Sequence, residues 1–193
     1  MLKKVIKRIV SMIRMRRFRK NAVIGENFSV DVHSVCTNRT GRADSIRIGD
    51  NCCIRGRLTA VGEGKIRIGN NCYIGGGSLL GATDSIVLGD CVIIATEVHV
   101  LDNNNHPVEP RLREEMCRSG DYFGPLWSWD KAVHAPVVIE NNVWIGEYSA
   151  VLKGVRIGEG SVVGCHSVVT KDVPPYCIVA GNPARVVKQL DRE

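Results

Sequence analysis

Aromatic residues are scarce: they make up 5% of the 193 residues, while 44% of the chain is hydrophobic. A core filled with rings is therefore excluded, and Ile, Val, Cys and Ala must carry the burial, as they would in a narrow prism. The eight cysteines (Cys36, Cys52, Cys53, Cys72, Cys91, Cys117, Cys165, Cys177) contain no CxxC pair. That lack argues against zinc-ribbon and thioredoxin-type sites. Several occupy positions that Ser, Ala or Val would also fill, so they read as small buried hydrophobes with free thiols in a reducing compartment. Acidic residues are missing from the first 20 positions, which hold nine of the 26 Lys and Arg. The net charge of +6 is thus an N-terminal property. The other 17 bases and 20 acids leave the body at about −3, which argues against nucleic-acid binding.

What is present is a period of six. Ile139, Ile145, Val151, Ile157, Val163 and Val169 follow one another at every sixth position, and Val143, Ser149, Val155, Ser161, Ser167 and Val173 stand four places after them. Six is neither the helical nor the strand period. It suits very short strands that turn corners and stack into a triangular prism, with the aliphatics in one buried column and the smaller residues in a second. Three earlier segments echo one another: Ile46–Ile54, Ile66–Ile74 and Ile86–Ile94, with Ile48, Ile68 and Leu88 spaced by 20. Three hexads take about 18 residues, so each coil carries about two extra at a corner, such as Gly62-Glu63-Gly64 or Thr83-Asp84.

Along the chain, residues 1–20 form a short basic amphipathic helix, with Val5, Ile6, Ile9, Val10, Met12 and Ile13 at helical spacing. Its apolar run is too short and interrupted for a transmembrane span or a signal-peptide core. It could lie on an anionic membrane surface, or pack on its own prism or a neighbouring subunit. The prism occupies residues 21–181, opening at Ile24 and Val30. A stretch without hexads, 102–136, interrupts it and carries Tyr122, Phe123, Trp127 and Trp129. A loop of that length on a rigid solenoid implies function. Pro174-Pro175 ends the repeats, and Asn182-Pro183 reads as the cap and first position of a C-terminal helix over 182–193.

His106 stands where the prism ejects this loop, behind three asparagines and before Pro107. An imidazole presented there has the near-neutral pKa suited to removing a proton from a hydroxyl or amine. Asp102, Glu109 or a backbone carbonyl could orient it.

Together the hexads, Val98–Pro107, Asn141-Asn-Val-Trp144-Ile-Gly146, Ser167–Pro175 and Ala180–Lys188 resemble the left-handed β-helix (hexapeptide-repeat) acyltransferases over residues 22–190. The closest branch resembles maltose and galactoside O-acetyltransferases and bacterial polysaccharide O-acetyltransferases. The resemblance implies an all-β solenoid, a left-handed parallel β-helix assembled as a homotrimer, with acetyl-CoA as acyl donor in a groove between subunits. It implies that His106 is the general base for direct transfer to an acceptor hydroxyl. Trp144, Gly146, Cys165, Thr170 and Lys171 are implied to border the cofactor, with Arg185 and Lys188 meeting its phosphates. Gly75-Gly-Gly-Ser78 replaces an Asn that the galactoside-type enzymes carry, and the excursion from His106 to Trp144 is longer than theirs. Long loops are also a feature of the streptogramin and chloramphenicol acetyltransferases.

The expectation is therefore an acetyl-CoA-dependent O-acetyltransferase acting on a sugar or cell-envelope glycan precursor, cytoplasmic, and peripheral at the inner membrane face if the basic helix binds lipid. Antibiotic or amino-sugar N-acetylation is the alternative, and a trimeric scaffold without catalysis is another. A metal-dependent hydratase on this fold needs three histidines around one zinc-type ion. Of His33, His99, His106, His134 and His166 only His99 and His106 are near in sequence, so no metal is expected.

Overall fold

The computed structural model describes residues 2–122 and 124–192. Phe123 and the side chain of Val5, both named above, and the side chains of Leu2, Lys3, Lys4, Lys7 and Arg8 lie outside the described residues. Short strands wind through three parallel sheets in rotation, and each sheet takes one strand from every coil. The product is a left-handed parallel β-helix, three-faced as the period of six requires.

The register shows why six residues suffice for each face. On the first face Ile24, Ile48, Ile68, Leu88, Ile139 and Ile157 pair in succession through all coils. Val30, Ile54, Ile74, Ile94, Ile145, Val163 and Val179 do so on the second, and Cys36, Leu58, Leu80, Val100, Val151 and Val169 on the third. With strands about 4.8 Å apart, each aliphatic stacks on its equivalents above and below. Ile54, Ile74, Ile94 and Ile145 are fully buried. The smaller inward residues lie where the prism narrows. Ser149 and Ser161 are buried there because each donates to a carbonyl, Gly164 O at 3.0 Å and Pro174 O at 2.7 Å.

One corner is built from repeated side-chain to backbone bonds. Asp50, Asn70, Asp90 and Asn141 each accept the N–H of the residue one coil below, at 2.6–2.9 Å. Beside them Asn27, Asn51, Asn71 and Asn142 adopt the left-handed conformation that Asn tolerates better than most residues. Cys91 holds the same conformation in the intervening coil, at φ 58°.

The two ends of the prism are closed differently. Helix α1 (Leu2–Asn21) buries Phe18, and the residue after it Ala22, against the first coil, with the Phe18 ring 5.5 Å from Phe28. Ser11 Oγ donates to Val30 O at 3.1 Å, and Asn38 holds the last helical carbonyl region at Asn21 O, 2.8 Å. Ile6, Ile9, Met12 and Ile13 stay exposed. No helix among the described residues is long and apolar enough to cross a membrane.

At the other end the expected C-terminal helix is corrected. Residues Arg185–Gln189 form a strand, antiparallel to Cys177–Ala180. Val186 and Val187 are β-branched and favour a strand, and Gly181, at φ 102°, makes a tight reversal that a helix cap at Asn182 would not. The resulting hairpin extends the second sheet, where a helix would have left the edge of Cys177–Ala180 unpaired.

Candidate active site

The excursion begins after His99–Leu101, on the third face. Its two limbs are pinned together at the root: Ala135 N–H donates to Asp102 O at 2.8 Å, Asn104 N–H to Val133 O at 3.1 Å, and Asn103 bridges His134. The Asp102 side chain is fully buried and accepts from Thr83 N at 2.9 Å, Asp84 N at 2.8 Å and Asn103 Nδ2 at 3.0 Å. A carboxylate so occupied secures the corner at 83–84 to the loop root, so Asp102 does not orient His106. Glu109 is exposed at the start of α2 (Pro110–Arg118).

The three asparagines build the turn that presents the histidine. Asn103 Oδ1 accepts from Asn105 N at 2.8 Å, and Asn104 O accepts from His106 N at 2.7 Å. Asn105 sits at φ 62°, which Asn tolerates. His106 emerges half-buried, its ring edge-on to Trp127 with centroids 5.3 Å apart. Trp127 is fixed in turn by its indole N–H on Met116 O at 3.1 Å and by Tyr122 at 5.2 Å. Nδ1 of His106 is buried with no partner among the described residues. Nε2 is left as the ring nitrogen that an acceptor could reach.

The returning limb lies back over the outer surface of the third face. Trp129 packs on Gly81 so closely that a β-carbon there would stand 2.8 Å from the ring, and Asp130 covers Gly62. Between this limb and the sheet runs a pocket of 270 Å³. Its floor is Thr37 and Thr59, its aromatic wall Trp127 and Trp129, and its cations Arg39 and Arg57. Sequence reasoning missed Gly81 and both arginines. For the arginines the only signal is alternation on strands Val35–Arg39 and Arg57–Val61, where Cys36, Leu58 and Ala60 are buried.

Gly75-Gly-Gly-Ser78 proves to be a packing device. A β-carbon at Gly77 would overlap the Glu97 carboxylate, and buried Ser78 donates to Ala95 O at 2.7 Å. Its side chains are therefore committed to the corner.

The seven residues expected at the cofactor fall into separate groups. Lys171 and Arg185 line one groove beside the C-terminal hairpin. Trp144, half-exposed on the outer second face, leads along the strand partners Val162 and Ile178 to Lys188. Gly146 lies where the coils approach too closely for a β-carbon, 2.7 Å from Cys165 N, and Cys165 and Thr170 are exposed. No hydrogen bond, ion pair or ring contact among the described residues joins His106 to any of the seven. Among the described residues no group of three His, Cys, Asp or Glu could hold a metal ion.

Comparison with known proteins agrees with this architecture. Residues 136–171 match the bacterial transferase hexapeptide (six repeats), and residues 65–100 match the hexapeptide repeat of succinyl-transferase. Galactoside O-acetyltransferase of Escherichia coli (strain K12) is 38% identical over 107 residues, 55% of this chain and 45% of that protein. The match thus spans less than half the length of that relative. Among solved structures, the polySia specific acetyltransferase NeuO superposes with a TM-score of 0.63 at 26% identity, covering 89% of this chain and 84% of that one. AntD, an N-acyltransferase from Bacillus cereus solved with coenzyme A, reaches a TM-score of 0.70 at 21% identity over 92% and 89%, a likeness of fold alone. The chain is a left-handed parallel β-helix with two hexapeptide-repeat segments, similar over part of its length to acetyltransferases.

Proposed function

We propose that this protein is an acetyl-CoA-dependent O-acetyltransferase acting on a hydroxyl of a sugar or cell-envelope glycan precursor. The observation that carries the reading is His106, held by the asparagine turn and by Trp127, which itself lines an aromatic pocket, with Nε2 its one approachable nitrogen. Nε2 takes the proton of the acceptor hydroxyl as that oxygen attacks the thioester carbonyl. The C–O bond forms, the C–S bond then breaks, and the proton is returned to the departing thiolate, so no acyl-enzyme is needed. Holding both reactants in one site supplies the proximity contribution. Trp127 and Trp129 offer faces on which a sugar can stack.

Lys171 and Arg185 lie together in a groove, an arrangement suited to the phosphates of acetyl-CoA. The names of the galactoside and polySia specific relatives support a carbohydrate acceptor. For Nε2 to act as base, Nδ1 must carry the hydrogen, and no acceptor meets it among the described residues. Trp144 and Lys188, which have no contact with His106 among the described residues, reach the cofactor from a neighbouring subunit of a homotrimer.

The test is free-thiol release from acetyl-CoA across oligosaccharides, amino sugars, streptogramins and chloramphenicol. Acceptor-dependent release that falls about 10²-fold or more in His106→Ala supports the reading. Undiminished release refutes the mechanism, and a productive amine acceptor would favour N-acetylation.

A further inference from the structure

Four arginines on the wall of this prism are matched by an acid: Arg42 by Glu63, Arg47 by Asp44, Arg55 by Asp31 and Arg156 by Glu140. Arg67 and Arg185 donate instead to backbone carbonyls, Ser45 O and Ala184 O, each at 2.9 Å. Arg39 and Arg57 have neither kind of side-chain partner among the described residues. Both line the pocket beside Trp127 and Trp129, whose lining includes no Asp or Glu.

Their spacing follows from the register. Arg57 pairs with Val35, four residues before Arg39 on the adjacent strand, so the two guanidinium stems start roughly 13 Å apart. Thr37 and Thr59, directly opposite each other, present their side chains between them. The pocket therefore combines hydroxyls on the floor, an aromatic wall and a cation towards each end. The acids nearest by lining are in adjoining clefts: Asp31 and Glu97 beyond Arg57, and Asp130 beyond Arg39. Asp31 is already engaged by Arg55 at 3.8 Å.

We propose that this pocket is an acceptor subsite for an anionic carbohydrate, one whose carboxylate or phosphate groups are gripped by Arg39 and Arg57 while a ring stacks on Trp127 or Trp129. This rests on the O-acetyltransferase reading and specifies its acceptor. A guanidinium meets a carboxylate or phosphate through two parallel N–H donors, which provides geometric selection as well as attraction. A neutral sugar would leave both cations without a counter-charge. Because Trp127 also touches His106, an acceptor anchored here is held beside the base.

Calorimetric titration of the full chain in the presence of coenzyme A tests this with paired probes: trigalacturonate against neutral galactotriose, and N-acetylglucosamine 1-phosphate against N-acetylglucosamine. At low ionic strength at least one anionic probe binds about 10-fold or more tightly than its neutral counterpart, an advantage that shrinks as salt is added. In Arg39→Gln/Arg57→Gln the advantage falls to about 2-fold or less, with coenzyme A affinity and the circular dichroism spectrum unchanged. The carboxylate and phosphate arms identify which anion is preferred. Equal binding within both pairs, an unchanged preference in the double variant, or no binding of any probe overturns the proposal. Retained acetyl transfer by His106→Ala would instead refute the base assignment while leaving the anion preference intact.

Discussion

Trp129 occupies the space above Gly81 that any side chain would need: a β-carbon at position 81 would lie 2.8 Å from the indole and 2.7 Å from Leu101 Cδ2. The glycine thus lets the returning limb of the loop rest on the third face and shape the pocket beside His106. Gly81→Ala is expected to lift Trp129 while leaving the stacked aliphatics intact. Acceptor-dependent turnover should fall about 10-fold or more, since small misplacements near a reacting centre are costly. The overpacking itself should cost about 1–3 kcal/mol. Steady-state kinetics with limited proteolysis of the loop checks this; unchanged turnover and protection would show that the contact is dispensable.

Asp102 and Asn103 anchor the other limb. In Asp102→Asn one oxygen becomes an NH2 facing the backbone N–H groups of Thr83 and Asp84. Stability should drop by about 2–3 kcal/mol, because a buried donor would be left unpaired and a charge-assisted set lost. Urea unfolding measures the loss, and kcat should fall with it as the asparagine turn loosens.

At the Asn corner the opposite sign is expected. Cys91 holds φ 58° between Asn71 and Asn142, which share that conformation. Asn51 donates to Asn71 at 3.1 Å, a contact that stops at this cysteine. Cys91→Asn should stabilise the fold by about 0.5–1 kcal/mol, through an easier left-handed backbone and a continued side-chain row. A thermal midpoint that stays level or falls would count against it.

Burial pushes the Cys36 thiol from 9.0 up to about 12. The unfolded chain therefore releases this proton first as pH rises, so stability contributed by the protonated thiol is complete below about pH 9 and declines towards pH 12, by at most about 1.4 kcal/mol per pH unit. Cys36→Ala should remove that part of the alkaline slope in denaturant titrations. In the native protein the exposed Cys91, Cys117 and Cys165 should react with a thiol reagent long before Cys36 does.

The solenoid was legible because its code is local. Ile139 to Val169 repeats one residue class at one interval, and each copy meets the same environment one coil away, so the period specifies a three-sided prism, whereas the division of its aliphatics into three columns is visible only in the register. The place of His106 was legible too, where the hexads give way to the loop that leaves the third face. The C-terminal helix was misread because Asn182-Pro183 imitates a helix start. The outcome depended on whether the exposed edge of Cys177–Ala180 would accept a partner strand, and Arg185–Gln189 supplied it.

By itself, then, the sequence determined the prism, its buried aliphatics and the place of the loop, and singled out His106 within it. Those are properties of spacing between neighbours in one repeating pattern. Only the tertiary structure decided that Asp102 belongs to the corner at Thr83 and Asp84, that Trp129 rests on Gly81, and that Arg39 and Arg57 face the same aromatic wall. These contacts join residues from 18 to more than 80 positions apart, brought together where a non-repeating loop folds back across the coils. No period encodes such a meeting, because it depends on how one irregular segment packs on a regular surface.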